Sequence, residues 1–487
     1  MKLKVKFLKW SAGRPVAILH RTLAETAGIH VDDRILIRKN SKKIIAVVDV
    51  AVRLFDKEDI AVSTEISQSI NLKEDDIVEV ELAQKPESIS IITKKLKCGR
   101  LNQKELKNIM QDIVKNALTE SEIAYFVSAI YKCGMSMPEI IRMTKAIVGT
   151  GKQLNIHKKL VVDKHSVGGI PGRTTPIVIP ICASVGLIMP KTSSRAITSP
   201  SGTADALEVI CKVDFSIPEI KKIINKTGAC MVWGGSLGLA PADDKIIQVE
   251  RILNLDPEAQ LLASIMAKKI AIGSKYVLIE IPYGKYAKVD KKEALRLKEK
   301  FSSLGKFFHI KIKCLILKTD QPLGNGIGPA LEIKEVISIL KRKNSCNLLE
   351  ERALLLAAEI LEMSGKAKKG KGFKLAEKIL DSGKAFSKFK QIIKAQQGKL
   401  NSIREARFSH NIYAEKNSQI KEIDIKKINQ LARILGCPSD KYSGIYLWKH
   451  KNEKVNKGEK LLTLYSESKF ELKEGIKFYK KNRPLIG

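Results

Sequence analysis

Between Lys158 and Cys211 the chain alternates apolar blocks with polar ones. An aliphatic run (Leu160, Val161, Val162) ends in Asp163, Lys164, His165 and Ser166, and a glycine-rich turn follows (Gly168, Gly169, Pro171, Gly172). Thr174 and Thr175 then open a helix. A second apolar run, Leu187 to Met189, leads into a hydroxyl-rich turn, Thr192 to Thr203, and a helix over Ala204 to Ile210. Strand, small-residue turn and helix start therefore occur twice. Such turns suit oxyanions: glycine admits close backbone approach, unpaired N–H groups at the helix start point at the ligand, and the helix dipole favours negative charge. Ordinary strand–helix connections also favour Gly, Ser and Thr. Two of them close together, one with Lys164 and the other with Arg195, point to phosphate.

The pattern elsewhere predicts what surrounds these turns. Residues 1 to about 85 are strand-rich, and Glu25 to Ile37 (ETAGIHVDDRILI) is echoed by Ser67 to Val80 (SQSINLKEDDIVEV). A repeat of this size predicts one unit used twice to close a small barrel. Its Asp pairs, Asp32-Asp33 and Asp75-Asp76, read as turn-formers before strands. Leu106, Ile109, Met110 and Ile113, then Ile123, Phe126, Val127 and Ile130, recur at helical spacing, and Pro138 opens a third helix. Ala229 to Asp244 reads as irregular, and Asp256-Pro257-Glu258 as a helix start. On that helix Ser264 and Lys268 share a face. Strands alternate with helices from 158 to about 340, as in a sheet covered by helices that binds ligands at its strands' carboxyl ends.

The fold class expected is α/β with additional α and α+β domains. Four domains follow: a β-rich barrel-like domain over 1–86, and a helical domain over 87–157 with 240–270 packed on it. An α/β phosphate-binding domain covers 158–405, and a small α+β domain 406–487.

Composition adds little chemistry but excludes some classes. Hydrophobic content of 44% with 5% aromatics fits an aliphatic globular core. Met1 to Trp10 alternates Lys with apolar residues, so no signal peptide is expected there, and prolines interrupt the most apolar stretch, Pro176 to Pro190. No membrane span is expected. The eight cysteines include no Cys-x-x-Cys pair and suggest neither a metal site nor a disulfide framework, only reduced thiols in a cytoplasmic protein. The formal net charge of +35 is spread along the chain without a basic run interleaved with aromatics, so nucleic acid is not the expected partner.

Three motifs carry a family resemblance: KHSVGG (Lys164 to Gly169), KTSSRAITSPSGTADALEV (Lys191 to Val209) and SIMAKK (Ser264 to Lys269). They resemble the nucleoside phosphorylases that include thymidine phosphorylase, and over the whole chain the form SSRAITS and the N-terminal extension resemble the archaeal AMP phosphorylase branch. The resemblance implies phosphorolysis of nucleoside 5′-monophosphates: AMP plus phosphate gives adenine and ribose 1,5-bisphosphate, with CMP and UMP as further substrates. It implies no cofactor and no metal, phosphate being the co-substrate. It also implies a helical lobe facing an α/β lobe across a cleft, and a homo-dimer or larger homo-oligomer formed through the N-terminal domain. Carried over by position, Lys164, Ser166, Ser193 and Thr203 would bind phosphate. Gly168, Ser194, Arg195, Ala196, Ile197, Thr198, Ser199, Thr203, Ser264 and Lys288 would bind the nucleotide, and Asp256 would be the proton donor. From the residues alone, Asp256 before Pro-Glu is a helix cap, Lys288 is a solvated lysine, and His165 is either an acid or a structural neighbour of phosphate. Where bacterial thymidine phosphorylases carry His-Thr-Gly-Gly-Thr, this chain has Ser199-Pro200-Ser201-Gly202-Thr203. That departure disfavours thymidine, and pyrimidine-nucleoside phosphorolysis is the alternative.

Overall fold

The computed structural model describes the chain apart from residues 9, 157–159, 197–198, 254, 344–346, 401–402 and 487, and the side chain of residue 486. It divides into two compact units, Met1–Gly151 with Ala240–Ser264, and Lys152–Leu239 with Ile265–Gly487.

In the first unit the strands Lys2–Phe7, Val16–His20, Arg34–Lys39, Lys42–Ala51, Asp59–Val62 and Ile77–Leu82 close a barrel. The repeat in the sequence is a repeat in conformation. Asp32 and Asp75 both adopt positive φ (68° and 65°), while Asp33 and Asp76 accept hydrogen bonds from the backbone N–H of His30 and Lys73. Each aspartate pair thus turns the chain into the next strand, as short polar side chains do. Beside the barrel lie the helices Ser88–Leu96, Gln103–Val114, Glu120–Cys133, Met137–Thr150 and Pro241–Leu253. The helical-spacing residues Leu106, Ile109, Met110 and Ile113 are buried on the inner face of the second of these. Capping boxes at Asn102/Glu105, Thr119/Glu122 and Ser136/Glu139 satisfy the starts of three helices. One expectation fails here. Cys98 and Cys133 form a disulfide, because the ends of two packed helices bring their Cα atoms to 5.3 Å, a proximity that spacing along the chain does not reveal. Four of the five free cysteines among the described residues (Cys182, Cys211, Cys230 and Cys437) are buried, as small apolar residues are.

The second unit is built on parallel strands. Tyr276–Tyr283 lies between Val162–Ser166 and Lys311–Lys318, and Met189–Ser193 pairs with Ala229–Trp233. A parallel bridge, Val161 to Ile188, joins the two groups. Two boundaries differ from the sequence reading. The strands do not stop at their aliphatic runs but continue through Asp163-Lys164-His165-Ser166 and Lys191-Thr192-Ser193, since the register against Tyr276–Glu280 and Ala229–Trp233 carries them on. Of these polar side chains, Asp163 and Lys164 are held by buried partners, Lys269 and Glu280. Likewise Ala229–Trp233, expected to be irregular, is a strand. The helices Thr175–Ala183, Pro329–Leu340, Asn347–Met363, Gly372–Asp381 and Lys384–Ala395 contribute to one large aliphatic core. A four-stranded antiparallel sheet (Gly326–Ile327, Gly444–Leu447, Lys460–Ser466, Phe408–Tyr413) with two helices, Ile425–Ile434 and Lys469–Asn482, forms the carboxyl-terminal part.

Candidate functional site

The two turns leave neighbouring parallel strands of the second unit in the same direction, so both lie at the carboxyl edge. That juxtaposition follows from the parallel topology alone. In the first turn Gly168, Gly169 and Gly172 all adopt positive φ (98°, 93° and 119°). A Cβ on Gly172 would lie 2.8 Å from Leu323 Cβ, and one on Gly169 would touch the backbone of Lys288 at 3.4 Å. The Lys288 loop therefore lies against the glycine turn. Lys288 itself is exposed, and Ser166 and Gly168 are half-buried.

Beneath the turns lies a buried charge network. Lys164 Nζ donates to Thr174 Oγ1 at 2.9 Å and to Glu280 Oε2 at 3.0 Å, and Arg352 donates to Glu280 Oε1 at 2.9 Å. Burial pushes the Glu280 carboxyl up, but Lys164 and Arg352 outweigh it and hold the group below its ordinary value. Asp163 Oδ2 accepts from Lys269 Nζ at 2.6 Å, and its Oδ1 accepts the Lys164 backbone N–H at 2.7 Å. His165 is depressed well below the usual histidine range by desolvation and by Lys269, Lys191, Lys268 and Lys164. Such a ring is neutral at pH 7 and has no proton to give from a cationic form.

The second turn is a closed loop. Asp205 Oδ2 accepts the backbone N–H groups of Ala196 and Gly202, both at 2.7 Å. A Cβ on Gly202 would lie 2.7 Å from Ala196 N, Arg195 C and Ser194 O, so that position excludes any larger residue. Arg195, expected to bind the nucleotide, is engaged by acidic neighbours. Its guanidinium donates to Glu208 at 2.8 and 2.9 Å, lies 3.5 Å from Asp205, and stacks on Trp233 at 4.7 Å. The Glu208 hydrogen bonds, with the charges of Glu208, Asp205 and Asp214, raise its pKa, and the contacts make it a clamp on the loop. Arg433 and Lys441 add contacts to Ser199 O (3.4 Å) and Glu208 (3.2 Å). Ser194 is exposed, Thr203 is half-buried at the helix start, and Ser199 Oγ donates to Ser201 O. Ile197 and Thr198 lie outside the described residues. The hydroxyls of Thr192 and Ser193 are buried and have no hydrogen-bond partner among the described residues. Buried orphan hydroxyls are costly unless a ligand completes them.

Asp256 and Ser264 belong to the first unit. Ser264 Oγ donates to Asp243 Oδ2 at 2.8 Å, and Gln260 Nε2 donates to Asp243 Oδ1 at 2.8 Å. The buried Asp243 carboxylate thereby fixes the direction of the Ser264 hydroxyl. Asp256 is exposed at the entry to the helix Glu258–Ile272. The residues that sequence reasoning passed over are Asp163, Lys191, Asp205, Asp243, Lys269 and Glu280. Their signal was a charged residue set inside an apolar strand or helix pattern.

Comparison with known proteins matches this geometry to a lineage. The profile described as "Glycosyl transferase family, a/b domain" matches residues 158–386, that of its helical bundle domain 89–151, and "Pyrimidine nucleoside phosphorylase C-terminal domain" 419–485. AMP phosphorylases of Thermococcus kodakarensis and Pyrococcus furiosus are each 41% identical to this chain over 491 residues, covering 100% of it and 97% of the relative. The chain belongs to the AMP phosphorylase family. The AMP phosphorylase of Methanococcus aeolicus is 40% identical over 99% of this chain and 97% of its own length. The fold reaches beyond the AMP phosphorylases: the crystal structure of anthranilate phosphoribosyltransferase from Thermus thermophilus superposes with a TM-score of 0.52 at 16% identity, covering 63% of this chain and 99% of the other. In an AMP phosphorylase frame, the two glycine and hydroxyl turns fall within the a/b domain, and Asp256 and Ser264 fall within the same profile match.

Proposed function

We propose that this protein carries out phosphorolysis of nucleoside 5′-monophosphates, AMP plus phosphate giving adenine and ribose 1,5-bisphosphate. The observation that carries it is the pair of turns at the carboxyl ends of bridged parallel strands over a buried network rich in lysine, with Thr192 and Ser193 hydroxyls that have no partner among the described residues. Two oxyanions need seats: the attacking phosphate and the 5′-phosphate of the nucleotide.

In this reading Lys164, Ser166, Ser193 and Thr203 hold the attacking phosphate. Gly168, Ser194 to Ser199, Thr203, Ser264 and Lys288 hold the nucleotide, Arg195 acting through its clamp on the loop. A phosphate oxygen forms the new bond to the anomeric carbon as the bond from that carbon to the base nitrogen breaks, with positive charge growing on the ribose. Fixed donors position the phosphate, and its negative charge stabilises that centre. The departing base takes the bonding electron pair and a proton from Asp256. Donation by Asp256 requires that the seated nucleotide exclude water from it. The chemistry asks for no metal or cofactor.

Self-association through the barrel is part of the proposal, supported by the exposed apolar side chains Val52, Leu54, Ile77 and Leu82 on that domain. Incubation with AMP, CMP, UMP and thymidine, with and without phosphate, tests the activity. Phosphate-dependent base release from the monophosphates is expected. Release from thymidine alone would establish the pyrimidine-nucleoside alternative.

A further inference from the structure

One buried lysine has no role in the reaction as laid out. Lys191 lies on the strand Met189–Ser193, only 6% exposed. Its Nζ donates to the carbonyl of Thr192 at 2.6 Å and stands 3.8 Å from Asp163 Oδ1, whose partner oxygen is taken by Lys269. Strand periodicity sets Lys191 and Ser193 on one face of the sheet, and Ser193 Oγ is among the buried hydroxyls without a partner among the described residues. Among the ion pairs of the described residues, cations outnumber anions here. Lys164, Lys191, Lys269 and Arg352 face Asp163 and Glu280, and Glu280 is shared by Lys164 and Arg352. A dianion seated at Ser193 would supply the missing negative charge.

We propose that Lys191 is a further phosphate-site cation that takes up a proton when the oxyanion arrives. The proposal rests on the phosphorylase reading and names a residue that reading does not use. With the site empty, burial first, and then Lys269, Lys164 and Lys268, hold its pKa down at about 7, against the opposing pull of Asp163. The other titratable groups around it are His165, on the strand Val162–Ser166, and the Cys230 thiol, on the strand Ala229–Trp233, which burial pushes up and out of range. A dianion beside Lys191 raises its pKa, so a proton passes from solvent to Nζ as the anion binds. Binding of the co-substrate then offsets a cost that folding imposes, because a partly neutral buried amine becomes paired and charged only in the loaded enzyme.

The test is calorimetric titration of the full-length protein with sulfate, which is dianionic throughout the neutral range and contributes no proton of its own. Running it at pH 7 in buffers of different ionisation enthalpy counts the protons taken up. A lysine at about 7 predicts uptake of about half a proton per sulfate. H165Q should keep that uptake. K191R, charged at every accessible pH, should bind sulfate with no uptake. K191M should bind it about tenfold or more weakly. Sulfate bound by the wild type without uptake, uptake lost in H165Q, or no sulfate binding at all would overturn the proposal. Adenine release from AMP, measured in parallel, separates the two claims. Release with no proton uptake removes Lys191 alone, whereas uptake with no release removes the reaction and leaves the anion site.

Discussion

Lys269 Nζ lies 2.6 Å from Asp163 Oδ2, both side chains almost wholly buried, one in the last turn of the helix Glu258–Ile272 and the other inside a parallel strand. This ion pair ties the motif KHSVGG, whose strand Asp163 enters, to the charged end of SIMAKK. Removing one partner of a buried pair costs about 3–5 kcal/mol, because the other charge is left uncompensated. Asp163→Asn should therefore lower the unfolding midpoint and weaken phosphate binding, read by thermal melting and by KM for phosphate. Unchanged values for both would show that the pair anchors nothing.

Asp256→Asn should lower kcat by about a hundredfold or more, with nucleotide affinity largely kept. Steady-state kinetics beside equilibrium AMP binding distinguish proton donation from capping. A capping role alone would instead lower the melting temperature and leave turnover of the folded enzyme intact.

Gly202→Ala places a methyl group 2.7 Å from three backbone atoms of residues 194–196, where no flexible side chain can yield. The loop that Asp205 closes must then open. KM for AMP should rise by about tenfold or more, the cost of misfit in a tight site being about 1–3 kcal/mol. Crystallographic or kinetic evidence of an unaltered loop would contradict that account.

The turns of the candidate site were legible because they are built on small residues. The turns at Gly168 to Gly172 and at Thr192 to Thr203 show in the sequence, since glycine best tolerates positive φ in the first and close backbone approach in the second. The barrel repeat showed because Asp32 and Asp75 do the same conformational work twice. What the pattern concealed were groups whose partners come from far along the chain. Asp163 reads as the end of a strand until Lys269, 106 positions away, is set against it, and Lys164 reads only as a phosphate cation until Glu280 is paired with it. Cys98 and Cys133 looked like two of several scattered thiols because helix packing, not spacing, sets their distance. Arg195 looked like a ligand cation for a related reason: Asp205 and Glu208 belong to the helix that follows the loop, and only the loop's closure brings them back onto the guanidinium.

The disulfide gives a stability prediction. A crosslink spanning 35 residues restricts the unfolded chain by about 3–4 kcal/mol on the loop-entropy estimate. Reductant, or Cys98→Ser, should lower the melting temperature of the oxidised protein by several degrees. No change in the melt would mean that the bond contributes nothing in solution.

Acid should also act on this unit. Burial would raise the Glu139 carboxyl, but hydrogen bonds from the Ser136 and Leu101 backbone, the Ser136 hydroxyl and Lys95 hold it at about 2. A carboxyl depressed on folding adds stability that is fully present above its unfolded value of about 4.3 and is lost as pH falls toward 2. Glu139→Gln should flatten the pH dependence of unfolding across that window. An unchanged acid transition would assign it to other carboxyls.

Phosphorus NMR of the protein with AMP and inorganic phosphate tests the central claim most directly. The account predicts that the inorganic phosphate signal falls in step with adenine release, while the two phosphoryl signals of a ribose bisphosphate grow in equal amount. Adenine appearing with ribose 5-phosphate and no loss of inorganic phosphate, or no reaction of AMP at all, would contradict it.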